Sequence, residues 1–422
     1  MKTAALIIFI VMYAVMIIKP DWRAWAALAA SAVYGAMGLL APHEILTAID
    51  WNILMMLFGT MITVGYFIRS RMPNRIADHL LDLAPNVMWV TIFISLFSGV
   101  ISALIDNVST VLMVAPVGLA VCRKLKVNPV PVVISIAVSS NLQGAATLIG
   151  DTTSMMLAAY AHMDFMDFFW MNGKPGIFFA VELGAVATVP LMMFLFRKEK
   201  TPVQADEYTD VTSLVPTFVL LAQIGCLIAA SFLPDKPGLT NGIICVAGAL
   251  ICMMWEGIFQ ESRGVLGTLR GVDYQTLLLL AGLFLVVAGI TNAGIIGDLA
   301  DIIARVGGTN VFLLYTIVVW GSVAISAFID NIPYVATMLP VLQTLTETSG
   351  ADPSLLYFGL LIGATLGGNM TPVGASANIA GVGMLRQRGY EVSFREFGRI
   401  GISFTLTAVT VGYVFLWLVL GR

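Results

Sequence analysis

Two Asp-Asn pairs, Asp106-Asn107 and Asp330-Asn331, stand 224 residues apart inside apolar sequence. A carboxylate within a bilayer costs about 2.5–3.5 kcal/mol on insertion scales, so it is retained where it lines a cavity or meets a partner. Ser109 and Thr110 follow the first pair and gather several oxygens within one helical turn. That set suits a hard cation or an exchangeable proton. The second pair runs into Ile332-Pro333-Tyr334 and is poorer in hydroxyls, so the two sites need not hold the same ion. The expected coupling ion is H⁺ or Na⁺, with candidate Na⁺ positions at Asp106, Asn107, Asp330 and Asn331 and with no cofactor.

Two further stretches are polar where a membrane helix should be apolar. Residues 139–153 contribute Asn141, Thr147, Gly150 and Asp151; residues 367–378 contribute Asn369, Thr371, Gly374, Ser376 and Asn378. Each lies in an apolar run too long for one straight span, which predicts a helix broken inside the membrane. Unwound backbone survives at that depth only where it is buried in protein or lines a cavity. Freed carbonyls attract cations, and the amide end of the next half-helix attracts anions. A plainer role competes for some of these residues. Single Asn, Ser and Thr side chains often only tie helices together, at about 0.6 kcal/mol each, and Gly359, Gly363 and Gly367 have the spacing of a close helix contact. Acids at repeat-related positions are harder to explain that way, and function is the expectation for them.

The elements that must position these residues follow from composition. Of 422 residues, 59% are hydrophobic and 11% charged, against roughly 45–50% and 25% in soluble domains, so a water-soluble enzyme is excluded. A net charge of −3 offers no basic surface for nucleic acid. The four cysteines have no CxxC spacing, and His43-Glu44 lacks a second histidine four residues on, so neither a zinc site nor a metalloprotease helix is expected. Hydrophobic runs of about 20 residues match the bilayer core. They fall near 4–18, 22–40, 50–68, 129–160, 175–196, 214–233, 239–258, 274–291, 353–385 and 398–420. Ten crossings are predicted, the first as a retained span rather than a cleaved signal peptide.

The chain repeats itself. Residues 101–107 (ISALIDN) match 325–331 (ISAFIDN), Pro116-Val117 matches Pro340-Val341, and Thr147 and Gly150 match Thr371 and Gly374, all at one offset. Asp50-Trp51 against Asp273-Tyr274 extends the match. Residues 197–213, with seven charges in 17, separate the copies, giving a first repeat at 1–196, a linker at 197–213 and a second repeat at 214–422. Ten crossings put 17 of the 22 basic residues on one face. Positive residues stay cytoplasmic, so the linker is expected inside and both termini outside. Five crossings per copy then invert the second against the first, as in secondary transporters. Residues 86–121 and 309–346 each carry an Asp-Asn pair in the middle and read as re-entrant hairpins in preference to pairs of full spans. The fold class is all-α: a polytopic membrane protein of two inverted repeats of about five transmembrane helices, each with a re-entrant hairpin and a broken helix.

Four ordered phrases, residues 103–113, 146–151, 328–333 and 367–378, resemble the ion transporter superfamily, in the branch of arsenite permeases, NhaD-type antiporters and the melanosomal P protein. The resemblance covers nearly the whole chain. In the related divalent anion/sodium symporters the hairpin tips carry Ser-Asn-Thr and bind sodium and substrate. Here an acid replaces the serine, which shifts the expectation toward protons or cations as coupling ions. The resemblance also implies a homodimer with a scaffold and a moving unit.

The expectation is a non-enzymatic secondary active transporter in the plasma (inner) membrane, moving an ion or small anion coupled to H⁺ or Na⁺ by alternating access. Two alternatives stand beside it: a passive ion channel, and a Na⁺/H⁺ antiporter with no organic or oxyanion substrate. Partners are the lipid bilayer and a small ionic substrate.

Overall fold

The computed structural model describes residues 1–203, 208–234, 236–259, 263–308 and 310–421. Part of the linker (204–207), Thr309 at the start of the second predicted hairpin, and Arg422 lie outside the described residues.

The chain is helical almost throughout, and its helices recur in register. Trp51–Arg69, Met72–Asp82, Val87–Ser102, Asn107–Leu125, Val130–Gly144 and Thr152–Tyr160 are followed by counterparts Tyr274–Asn292, Ile295–Gly307, Val311–Ser326, Asn331–Ser349, Pro353–Gly367 and Ser376–Gln387. Starting residues within each pair are 223 or 224 apart. The sequence offset is therefore carried by six consecutive elements. Met72–Asp82 and Ile295–Gly307 were not foreseen; each is a short helix with one apolar face, ahead of a hairpin.

Six described helices are long and apolar enough to cross a membrane, or up to seven if the bent pair Ile295–Gly307 and Val311–Ser326 is one span. The ten predicted crossings include shorter pieces. Lys2–Ile18 and Val215–Ala230 have 17 and 16 residues. Both long runs break where polar sequence was seen, after Gly144 and after Gly367. Asn107–Leu125 runs 19 residues through Pro116.

Burial orders the helices. Val130–Gly144 and Pro353–Gly367 are enclosed along nearly their whole length and form the centre. The hairpin helices pack on them, Val87–Ser102 and Asn107–Leu125 against the first, Val311–Ser326 and Asn331–Ser349 against the second. Ile177–Leu195 and Phe394–Leu420 pair with each other beside this core. Gly359, Gly363 and Gly367 do form a close contact face: a Cβ on Gly363 would lie 2.4 Å from the Val319 carbonyl oxygen.

A second layer crosses between the copies. Arg23–Ala36 packs on Tyr274–Asn292, and Thr240–Phe259 packs on Trp51–Arg69. The crossing points are Gly282, where a Cβ would come 3.0 Å from the Ala27 backbone, and Gly59, where it would come 2.3 Å from the Cys245 backbone. Any larger residue would push these helices apart.

The described part of the linker lies over Met72–Asp82. Carbonyls of Glu199 and Thr201 accept from the amides of Met88 and Val87, and the Tyr208 hydroxyl meets Asp82. A small antiparallel ribbon, Trp170–Met171 with Lys174–Pro175, turns at Asn172 and Gly173, both with positive φ as a tight hairpin turn requires.

Candidate functional site

Each hairpin tip is built by an aspartate that starts a helix. Asp106 Oδ1 accepts from the amides of Val108 and Ser109, at 3.1 and 3.0 Å. Aspartate is favoured there because it satisfies unpaired amides at the positive end of the helix dipole. Asp330 Oδ1 accepts only from Ile332, at 3.2 Å, because the next residue is Pro333, which has no amide hydrogen and stands where the first copy has Ser109. Its other oxygen is engaged elsewhere. Arg23 Nη1 donates to Asp330 Oδ2 at 2.9 Å and to Ser376 Oγ at 2.8 Å, and Ser376 Oγ donates to the same carboxylate oxygen at 2.8 Å. Among the described residues Asp106 forms no ion pair.

Both breaks are held against the tips by matched contacts. The Thr147 hydroxyl donates to the Ala103 carbonyl, and the Thr371 hydroxyl to the Ala327 carbonyl at 2.5 Å. A Cβ on Gly150 would lie 2.6 Å from Gly144 O and 2.7 Å from Ser102 O; on Gly374 it would lie 2.6 Å from Gly368 O and 2.7 Å from Ala327 O. These threonines and glycines lock break to tip. They do not face open space.

Beneath the tips lies a chain of buried amides. Asn107 Nδ2 donates to Asn141 Oδ1 at 2.9 Å, and Asn141 Nδ2 donates to Asn369 at 2.7 Å and to Asn378 at 3.1 Å. Asn369 and Asn378 pass on to the carbonyls of Val138 and Gly368. At the breaks, the Gly144 carbonyl accepts from the Ser154 hydroxyl, and those of Gly368 and Thr371 accept from Asn378. The second tip joins the first break by another route, through Asn331 Nδ2 to Asp151 Oδ2 at 3.1 Å, and Thr153 Oγ1 supports that oxygen at 2.6 Å. Asp151 is 2% exposed, so these bonds replace its water.

The tips converge on a cavity of about 360 Å³. Asp106, Asn107, Ser109, Asp151, Asn331 and Ser376 line it. Asp330 reaches it through Ser376 and Arg23. Thr110 is buried next to the first tip, and among the described residues its hydroxyl has no partner. Asn141, Asn369 and Asn378 form the buried layer described above. Among the described residues, no three His, Cys, Asp or Glu side chains are grouped to hold a metal ion. A cation bound here would rely on amide, hydroxyl and carbonyl oxygens beside a carboxylate.

Four polar lining residues escaped the sequence reading: Arg23, Thr152, Asp273 and Thr276. Thr152 was findable, since it pairs with Ser376 at the repeat offset. Asp273 was noted only as a marker of the repeat. Nothing local marks Arg23, which looks like a loop cation until the fold brings it to Asp330.

A second cavity, of about 340 Å³, repeats the plan of the first at the opposite end of the same two helices. Met61, Gly65, Leu112 and Asp273 in the first correspond to Phe284, Ala288, Ala336 and Asp50 in the second. Neither tip aspartate lines the second cavity.

An all-helical bilayer protein whose paired tips and broken helices surround a polar cavity is built as a membrane transporter, and solved transporters share the fold. The YdaH transporter of Alcanivorax borkumensis superposes with a TM-score of 0.60 at 14% identity, covering 94% of this chain and 97% of that one. MtrF of Neisseria gonorrhoeae, described as one of a class of antimetabolite efflux pumps, gives 0.56 at 13% identity over 88% and 81%. A family model described as citrate transporter (CitMHS) matches residues 12–363, and the chain belongs to that family. An uncharacterised transporter of Mycobacterium tuberculosis is 31% identical over 99% of this chain and 98% of its own length. The human P protein is 28% identical over 98% of this chain and 59% of its own.

Proposed function

We propose that this transporter is secondary active, moving a small ionic solute coupled to H⁺ or Na⁺ by alternating access. The observation that carries the reading is the pair of repeat-related cavities at opposite ends of Trp51–Arg69 and Tyr274–Asn292, with the polar tips lining only one. A unit that shifted between the two ends would offer its site to one side at a time, as transporters built from inverted repeats do.

Charge argues for a coupling cation. Three carboxylates (Asp106, Asp151 and Asp273) and one guanidinium (Arg23) line the cavity. An anionic solute entering it gains by bringing cations along. The family description names citrate, so labelled citrate is the first solute to test.

The test uses purified protein in liposomes under an imposed H⁺ or Na⁺ gradient. Uphill accumulation that disappears in Asp106→Asn is the expected result. Downhill flux alone would make the protein a channel, and transport unaffected by Asp106→Asn would remove the coupling assignment.

A further inference from the structure

Asp330 and Ser376 make a small anionic pocket, and a nitrogen of Arg23 sits in it. Nη1 lies 2.9 Å from the carboxylate and 2.8 Å from the hydroxyl, distances at which a charge-assisted hydrogen bond is well formed. The counterparts of these two residues in the first copy are Asp106 and Thr152. Both line the cavity, and among the described residues no side-chain cation pairs with Asp106. Two repeat-related sets, one carboxylate and one hydroxyl each, therefore differ in whether the protein supplies its own positive charge.

Two further observations show that Arg23 is placed for this. The Asp330 and Arg23 side chains are 18% and 17% exposed, so water does little to offset the carboxylate charge. At both tips capping uses only Oδ1, for two amides at Asp106 and for one at Asp330, where Pro333 has no amide hydrogen; the other oxygen of Asp330 meets Arg23 and Ser376. The guanidinium also belongs to a different layer. Its helix, Arg23–Ala36, packs on Tyr274–Asn292, and the matching glycine crossings put Asn241 of Thr240–Phe259 in the corresponding place. Asn241 lines a third cavity, of about 330 Å³, with Asp50, His162 and Lys236, and neither tip aspartate lines it. The position that carries a guanidinium at one end thus carries a neutral amide at the other, where the nearby lysine, Lys236, pairs with Asp164.

We propose that Arg23 is a tethered cation that fills a second cation pocket, formed by Asp330 and Ser376, and leaves the Asp106–Thr152 pocket as the exchangeable one. The inference rests on the cation-coupled reading and sharpens it: the ion count of transport is set by a residue outside the tips. Arg23 acts as a specificity residue here, because it decides how many free cations the chain takes. When the unit leaves this end, Asp330 parts from Arg23 and needs another monovalent cation, Na⁺ or H⁺.

The test counts cations bound to the purified full-length protein, with sodium measured by titration calorimetry and protons by uptake in lightly buffered solution. Arg23→Gln should bind one further cation per chain than the native protein, as sodium or as a proton, and the two arms tell which. Arg23→Lys, which keeps the charge, should show no gain. Arg23→Gln combined with Asp330→Asn should lose the gain again. If Arg23→Gln does not fold alone, millimolar guanidinium ion should restore its thermal unfolding transition by occupying the pocket. An unchanged count in folded Arg23→Gln, a gain that persists in the double variant, or no guanidinium rescue of an unfolded variant would each overturn the proposal. The readout is equilibrium binding. A chain that gained the cation but moved no solute would sink the transport reading and leave this one standing.

Discussion

The two hairpin tips have the same Asp-Asn start and opposite electrostatics. Asp106 is bonded to two backbone amides, faces the cavity and meets no side-chain cation among the described residues; Asp330 is bonded to one amide, one hydroxyl and a guanidinium. Proline for serine at the third helical position takes one of two capping amides from Oδ1, while the Oδ2 of Asp330 meets the guanidinium and the hydroxyl. The repeat places an aspartate at both tips, and only the second is paired with a cation of the protein's own among the described residues.

Exchanging the tips' roles should give the largest effects, and in opposite assays. Asp106→Asn should lower coupled transport by about 100-fold or more, roughly 2.7 kcal/mol or more in activation free energy, while barely moving the unfolding temperature, since Asn caps a helix about as well as Asp. Asp330→Asn should destabilise the protein by about 1–3 kcal/mol, because it leaves a half-buried guanidinium unpaired, a fraction of the 3–5 kcal/mol seen for full burial. Liposome transport and thermal unfolding in detergent separate the two. Equal losses in both assays for both variants would erase the distinction between the tips.

Other contacts serve both tips. Asn141→Ala would strand the amide partners on Asn107, Asn369 and Asn378 and should cost about 2–4 kcal/mol in unfolding free energy, with buried groups left unsatisfied on both breaks. Gly150→Ala and Gly374→Ala should be destabilising by similar amounts, about 1–3 kcal/mol each, since each new methyl meets two backbone oxygens at 2.6 and 2.7 Å. Unequal costs would show that the breaks, like the tips, have diverged.

What was legible in the sequence was whatever repeats or violates apolarity. The Asp-Asn pairs, both helix breaks, the duplication and the charged linker all announce themselves because a polar or fixed-offset residue stands out against lipid-facing sequence. Contacts between distant segments left no such mark. Arg23 lies 307 positions from Asp330 and was counted as an ordinary cytoplasmic cation. Asn141, Asn369 and Asn378 were expected to line the site, yet they are fully buried in an amide cluster, because hydrogen bonds among themselves satisfy them better than an open cavity would. Pro116 lies inside a continuous helix, since a helix lying against packed neighbours tolerates the lost amide bond.

The smallest test concerns the rims of the two cavities. Asp273 and Asp50 do the same local job, each capping its helix through a bond of 3.1 Å to the amide three residues on. Asparagine at either place should therefore leave stability within about 0.5 kcal/mol of native. Their surroundings differ: Asp273 shares its cavity with Asp106, and Asp50 shares its own with no tip acid. Asp273→Asn should then weaken cation binding by about two- to fivefold, an effect that fades as ionic strength rises, because a rim carboxylate acts through solvent-screened attraction. Asp50→Asn should leave equilibrium binding unchanged in the state with the tips at the Asp273 end. Binding titrations at low and high salt read both, and an equal response of the two variants would mean that the tip aspartates sense both rims alike.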